Sequence, residues 1–360
     1  MTMILRRPRR VRIASAAAAV VCAGLLVPGL APITSRGATP AERDTLRAPS
    51  PLTIVEYPIP RARAFPHDPA VGADGIVWYT DQANSYIGRL DPKTGKITDY
   101  PTPTPSSGPH GIVVAPDGMV WYTGNANGRI GRLDPRTGKI KEYVLPSEAR
   151  DPHTPLVHDG KIWFTAQSSN LIGELDPATG DVKIFPVATP RAHPYGLVNA
   201  PDGGIWAALF GTNKLAHIVA ATGAIHEIPL PESGARPRRL IVDKDGRVWY
   251  TDYARGKLGM LDPKTRAVRE WATPDENSRP YGIAIGSDGR IWFNESITGK
   301  MVAFDPKTEQ MQTVEIPTKG SVVRNIASDM QRHRLWLAES GVGRIGMIDL
   351  SRTSTTEAGR

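Results

Sequence analysis

A chain of 360 residues with one cysteine and a formal charge of +8 has room for a large core, and it excludes a disulfide framework or a cysteine-based zinc cluster. Glycine (35) and proline (33) are too frequent for a helical bundle. With 8 tryptophans and 10 tyrosines, they point instead to many short strands joined by tight turns.

The N-terminus carries Arg6, Arg7, Arg9, Arg10 and Arg12 and no acid within residues 1–31, so five of the eight net charges sit there. An apolar stretch, Ile13 to Ala31, follows the arginines and is broken by Pro28-Gly29. This order predicts a secretory signal peptide over 1–31, with an uncleaved membrane anchor as the alternative. Cys22 follows Val21 where a lipoprotein signal needs a small residue, which argues against lipidation. Residues 32–50, rich in Pro, Ala, Arg and Thr, read as a disordered linker. The expected location is periplasmic or secreted, with no stable membrane insertion after cleavage.

From residue 51 the chain is periodic. Trp78, Trp121, Trp163, Trp206, Trp249, Trp292 and Trp336 recur every 42 to 44 residues, and the eighth tryptophan, Trp271, stands outside the series. The unit is clearest in its second copy. Pro109-His110-Gly111-Ile112 opens an apolar strand, and Pro116-Asp117-Gly118 makes a hairpin turn. Val120-Trp121-Tyr122-Thr123 and Arg129-Ile130-Gly131-Arg132-Leu133 are the next two strands. Asp134-Pro135-Arg136-Thr137-Gly138 turns the chain into Lys139-Ile140-Lys141-Glu142-Tyr143, a polar outer strand. Four antiparallel strands every 40–45 residues are a β-propeller blade, so seven copies predict an all-β, seven-bladed propeller over 51–350.

The two ends of the chain predict how the ring closes. An outer-strand signature, Glu56-Tyr57-Pro58, precedes the first blade tryptophan, whereas nothing strand-like follows Ile345-Gly346-Met347-Ile348-Asp349. Residues 52–58 are therefore expected to complete the last blade, leaving 351–360 as a flexible tail. Asp243-Lys244-Asp245-Gly246 has the look of a calcium loop but lacks the downstream glutamate, and it reads as a hairpin turn.

Function in such a ring is expected where the innermost strands begin and seven loops converge. Reading blade by blade, that position holds His67, His110, His153, Tyr195, Arg238, Tyr281 and Asn325. A second ring is expected three residues after each blade tryptophan, at Asp81, Gly124, Ala166, Leu209, Asp252, Glu295 and Glu339. Asp68, Asp151, His193, Arg239 and Arg324 lie nearby in sequence. Imidazoles and carboxylates together can ligate a divalent cation or supply a general base. Polar residues lining a water-filled channel can equally be plain scaffold.

The repeat Pro-His-Gly-Ile, Pro-Asp-Gly, Val-Trp-Tyr-Thr, Arg-Ile-Gly-Arg-Leu, Ile-Lys-Glu-Tyr resembles the virginiamycin B lyase (streptogramin lyase) family over roughly residues 52–349. The resemblance implies a propeller that opens a cyclic depsipeptide at its ester by elimination, with Mg2+. The metal would polarise the ester carbonyl, and a histidine would remove the acidified α-proton as carboxylate leaves. The family places its catalytic histidines in the Pro-His motif of the two final repeats, with a glutamate just before the second. Here those repeats hold Tyr281 and Asn325, with Arg279 and Val323 upstream, and Pro-His stands in repeats one to three.

Because a ring has no first blade, His110 and His153, with Asp151 in the acid's place, form a shifted catalytic set. His67, Asp81, Glu295 and Glu339 are then the expected metal ligands, and Tyr195, Arg238, Tyr281 and Asn325 the substrate-recognition groups. Two functions follow. One is an exported, metal-assisted C–O lyase acting on an ester or cyclic depsipeptide. The alternative is a non-catalytic periplasmic propeller that binds a ligand or protein. Either way the expected partner is a small molecule or peptide at the central channel of a monomer. No basic stripe interleaved with aromatics invites nucleic acid.

Overall fold

The structure is a computed structural model and describes residues 52–351; the expected signal peptide, linker and residues 352–360 of the tail lie outside that range. Within it, 28 strands form seven four-stranded antiparallel sheets, one per blade. In six blades the strands run in sequence order from the inside outwards. The seventh takes Ile54–Pro58 as its outer strand, paired with Arg344–Asp349 from Ile54↔Ile348 to Pro58↔Arg344. The first strand of the described residues thus closes the ring as its sequence predicts.

The repeated tryptophan explains why blades stack. Trp78 packs with Ile112, Val120 and Tyr122 of the following blade, and Trp121 with Ile162, Phe164 and Leu171 of the next. The same arrangement runs round to Trp336, which packs with Val77 and Tyr79 of the first blade. An outer-strand ring covers several of these indoles: Tyr100 lies 5.7 Å from Trp78, and Phe185 5.4 Å from Trp163. Trp271, outside the tryptophan series, does this for Trp249 at 5.5 Å. The Ile-Gly of the third strand is equally specific, because a Cβ on Gly88 would stand 2.0 Å from the Tyr79 ring.

Two further features position the inner ring. Each inner strand is bulged just after its first residue: Pro66 pairs with Asp81 and Pro69 with Tyr79, so His67 and Asp68 share one partner, Thr80. The bulge releases two side chains per blade from the ladder. The threonine two residues after the tryptophan then ties blade to blade. Thr80 Oγ1 donates to the His110 carbonyl at 2.8 Å, Thr123 to His153 at 2.7 Å, Thr165 to Tyr195 at 2.9 Å and Thr251 to Tyr281 at 2.8 Å. Asp243 accepts from the Asp245 and Arg247 amides and from Trp249 Nε1, so that segment is a turn. Among the described residues no helix is long and apolar enough to cross a membrane.

Candidate functional site

The bulges bring the first ring together at the centre of one face. His67, His110 and His153 are all buried and lie ring on ring, with centroids 3.7 Å apart at both contacts; Tyr195 follows His153 at 4.0 Å. The Tyr195 and Tyr281 hydroxyls bond each other, and Arg238 Nη2 donates to Tyr195 Oη at 3.1 Å. The Arg238 guanidinium sits among four aromatic rings: 3.8 Å from the Tyr281 centroid, 4.4 Å from Tyr253, and 4.8 Å from both Tyr195 and Phe210.

The seventh position of this ring is Arg324, not Asn325. Val323 pairs with Glu339 just as Pro66 pairs with Asp81 and Pro280 with Glu295, so the residue after Val323 occupies the ring. Blade seven has valine where the other six have proline, and without that marker the sequence frame slips by one. Asn325 falls instead in the layer below, with Asp68, Thr154 and Arg239, around a cavity of about 180 Å³ that is otherwise apolar. In that layer Asp68 of blade one meets Arg239 of blade five. Arg239 Nη2 lies 2.9 Å from each Asp68 oxygen, and both side chains are buried.

The second expected ring does not face the channel. Asp81 accepts from the Phe65 amide at 3.0 Å, from Asn84 and from Arg61. Asp252 takes the Arg236 amide and Arg255, and Glu295 takes the Asp275 amide and Thr298. The reason is backbone satisfaction: buried N–H groups of the loops that enter the inner strands need acceptors. Asp151 is likewise spent, accepting from Ser168, from the Ser169 amide at 3.1 Å and from the Ser169 hydroxyl, so it is no partner for His153.

Glu339 differs from these acids. It is fully buried, and burial with Glu56 beside it pushes its pKa up to about 8, only partly offset by Ser321 and Arg344. A folded pKa above the ordinary carboxylate value favours folding fully below about pH 4.5, and that contribution is lost as pH rises through 8. Glu339→Gln is therefore expected to change little at pH 5 and to stabilise by on the order of 3 kcal/mol at pH 9. Thermal melts across that range check it; a gap that does not widen with pH would refute the reading.

Electrostatics at the mouth follow from the same contacts. Burial would raise Asp68, but Arg239 and the bond from His67 hold it well below the usual carboxylate range. The ionised Asp68 accepts from His67 Nδ1 at 2.9 Å, which leaves His67 Nε2 without a proton. Burial lowers all three imidazoles, reinforced by neighbouring imidazoles and by Arg238 and Arg239 for His110 and His153, and by Arg239 and Arg324 for His67. The histidines are neutral at pH 7. Burial pushes the Tyr195 hydroxyl far up.

Among the described residues, one group of three possible metal ligands lies within 4.8 Å of each other: His67, Asp68 and His110. It does not suit Mg2+, which needs a nearly all-oxygen octahedron. Two of the donors are nitrogens, Asp68 is already held by Arg239, and Arg238 and Arg324 add positive charge. Sequence reading missed Phe210 and Tyr253, the outer half of the cage round Arg238. Both stand four residues after a blade tryptophan, where other blades carry Gln82, Asn125, Gln167, Ser296 and Ser340.

No curated protein matches the sequence. Among solved structures, virginiamycin B lyase from Staphylococcus aureus is 26% identical with a TM-score of 0.78, over 83% of this chain and 99% of that one. A catalytically inactive histidine-to-alanine variant of that enzyme with quinupristin is similar at 25% identity, a TM-score of 0.78 and the same coverage of both chains. Hydrazine synthase from Kuenenia stuttgartiensis, at 13% identity, shares the fold over 81% of this chain and 97% of that one, with a TM-score of 0.71. The Virginiamycin B lyase family itself matches residues 47–216 and 156–357, nearly the whole ring. The closed seven-bladed ring and this match together establish that the chain belongs to the virginiamycin B lyase family.

Proposed function

We propose that this chain is an exported, ligand-binding propeller of its family, and that the channel mouth round Arg238, Tyr195 and Tyr281 recognises a small molecule or peptide. The observation that carries the reading is Arg238 itself. It is a partly exposed guanidinium fixed by four aromatic rings, with one hydrogen bond and no carboxylate beside it. Such a group is organised for recognition and lacks its counterpart. Export rests on the arginine-led apolar leader.

Elimination at an ester is the second reading. It is favoured by the family and by His110, whose Nδ1 is buried without a partner, so that a neutral imidazole stands beside the cations that would receive a departing carboxylate. Against it, burial lowers all three imidazoles, which weakens them as bases, and Asp151 is engaged elsewhere. The two readings separate on a panel of lactones and cyclic depsipeptides. Binding without turnover is expected, with a melting temperature that EDTA leaves unmoved. Turnover that disappears in His110→Ala or His153→Ala would replace binding by elimination, and binding to none of the panel would remove elimination.

A further inference from the structure

We propose that the ligand of this mouth carries a carboxylate, gripped by Arg238 and Arg324 on the Tyr281 ring; the inference rests on the ligand-binding reading above and names its ligand class. The two guanidinium carbons lie 3.8 Å and 5.9 Å from the Tyr281 centroid. Charge is the first argument. The mouth holds Arg238 and Arg324, and Asp68 in the layer below is fully used by Arg239 and His67. The stacked imidazoles bring no compensating negative charge.

Unmet hydrogen bonding is the second argument. A guanidinium has five N–H donors. Arg238 makes one hydrogen bond, to Tyr195, while Arg324 packs only against the rings of Tyr281 and Phe65. The Nε atoms of Arg238, Arg239 and Arg324 are all buried without a partner. Donors in this state are costly unless an anion completes them. Both Arg238 and Arg324 keep part of their surface in solvent, so a ligand can reach them.

Shape then selects among anions. Guanidinium forks match the two oxygens of a carboxylate, and Arg238 is held in place beforehand by its cage, which lowers the ordering cost of binding. Phe210 and Tyr253, partly exposed beside it, offer an apolar wall to an organic body. Inorganic phosphate or sulfate has no body to place there. A divalent cation is the wrong sign for this surface.

Calorimetry on the purified chain tests this with benzoate and succinate, their methyl esters, and inorganic phosphate. The acids are expected to bind, the esters at least about tenfold more weakly, and affinity to fall with added salt. Arg324→Gln should weaken the acids by about tenfold or more while the melting temperature stays put, because Arg324 has no ion pair to lose. Arg238→Lys, which keeps the charge but not the fork, should weaken them as well. Esters binding as well as acids, or phosphate binding better than both, would overturn the carboxylate. If a lactone or depsipeptide binds and no acid does, the carboxylate inference falls while the ligand-binding reading stands; if nothing binds from either set, both fall.

Discussion

Arg239→Met is expected to lower the stability of the ring by about 3–5 kcal/mol, the usual cost of stranding one partner of a buried ion pair. Asp68 is 2% exposed, and its two oxygens accept from Arg239 across the channel. Without the guanidinium its charge stays buried, with His67 as its remaining side-chain partner. The loss should depend on pH. In the native protein the Asp68 pKa is depressed, so its contribution is present above the ordinary aspartate pKa near 4 and is lost as pH falls below it. The gap between native chain and variant is therefore largest near pH 7 and narrows towards pH 3. Combining Asp68→Asn with Arg239→Met removes the stranded charge and should recover part of the loss. Denaturant melts of the native chain and the two variants check this. A single variant within about 1 kcal/mol of the native chain would show that the pair does not brace blade one against blade five.

Removing residues 52–58 should be at least as damaging, and in a different way. Blade seven would end on Arg344–Asp349, its five-residue ladder to Ile54–Pro58 gone. Ile54, buried in the core with Val314, Leu335 and Ile348, accounts alone for about 1.5–3 kcal/mol. Tyr57 leaves the face of Trp336, and Glu56 no longer accepts from the Thr318 amide and hydroxyl. A fall in melting temperature of roughly 5–10 °C is expected. The exposed edge should also recruit other chains. Size-exclusion chromatography with light scattering reads that second effect, and a truncated chain that stays monomeric with an unchanged melt would refute the closure argument.

The closing strand and the stranded aspartate differ in how readable they were. Glu56-Tyr57-Pro58 repeats a signature found in the other blades, so its surplus at one end and absence at the other announced the closure. The bulged inner ring was legible at six blades because proline marks the frame at Pro66, Pro109, Pro152, Pro194, Pro237 and Pro280. It slipped at the seventh, where Val323 replaces proline and Arg324 takes the place assigned to Asn325. The acids three residues after four of the tryptophans end their strands and serve the neighbouring loops, not the channel. Asp81, Asp252 and Glu295 look like channel ligands in one dimension, whereas the loop amides behind them claim their oxygens.

What the sequence alone determined is everything that repeats: strand order, turns, blade number and the tryptophan seams between blades. Burial of a common face and the steric demands of glycine and proline are local requirements, and seven copies of each make them unmistakable. The tertiary structure alone decided what happens once in the ring: the Asp68–Arg239 pair, separated by 171 residues, the burial of Glu339 beside Glu56, and the aromatic cage that holds Arg238. Charges pair through space, and closing the ring brings non-adjacent blades within hydrogen-bonding distance. No spacing along the chain encodes that distance.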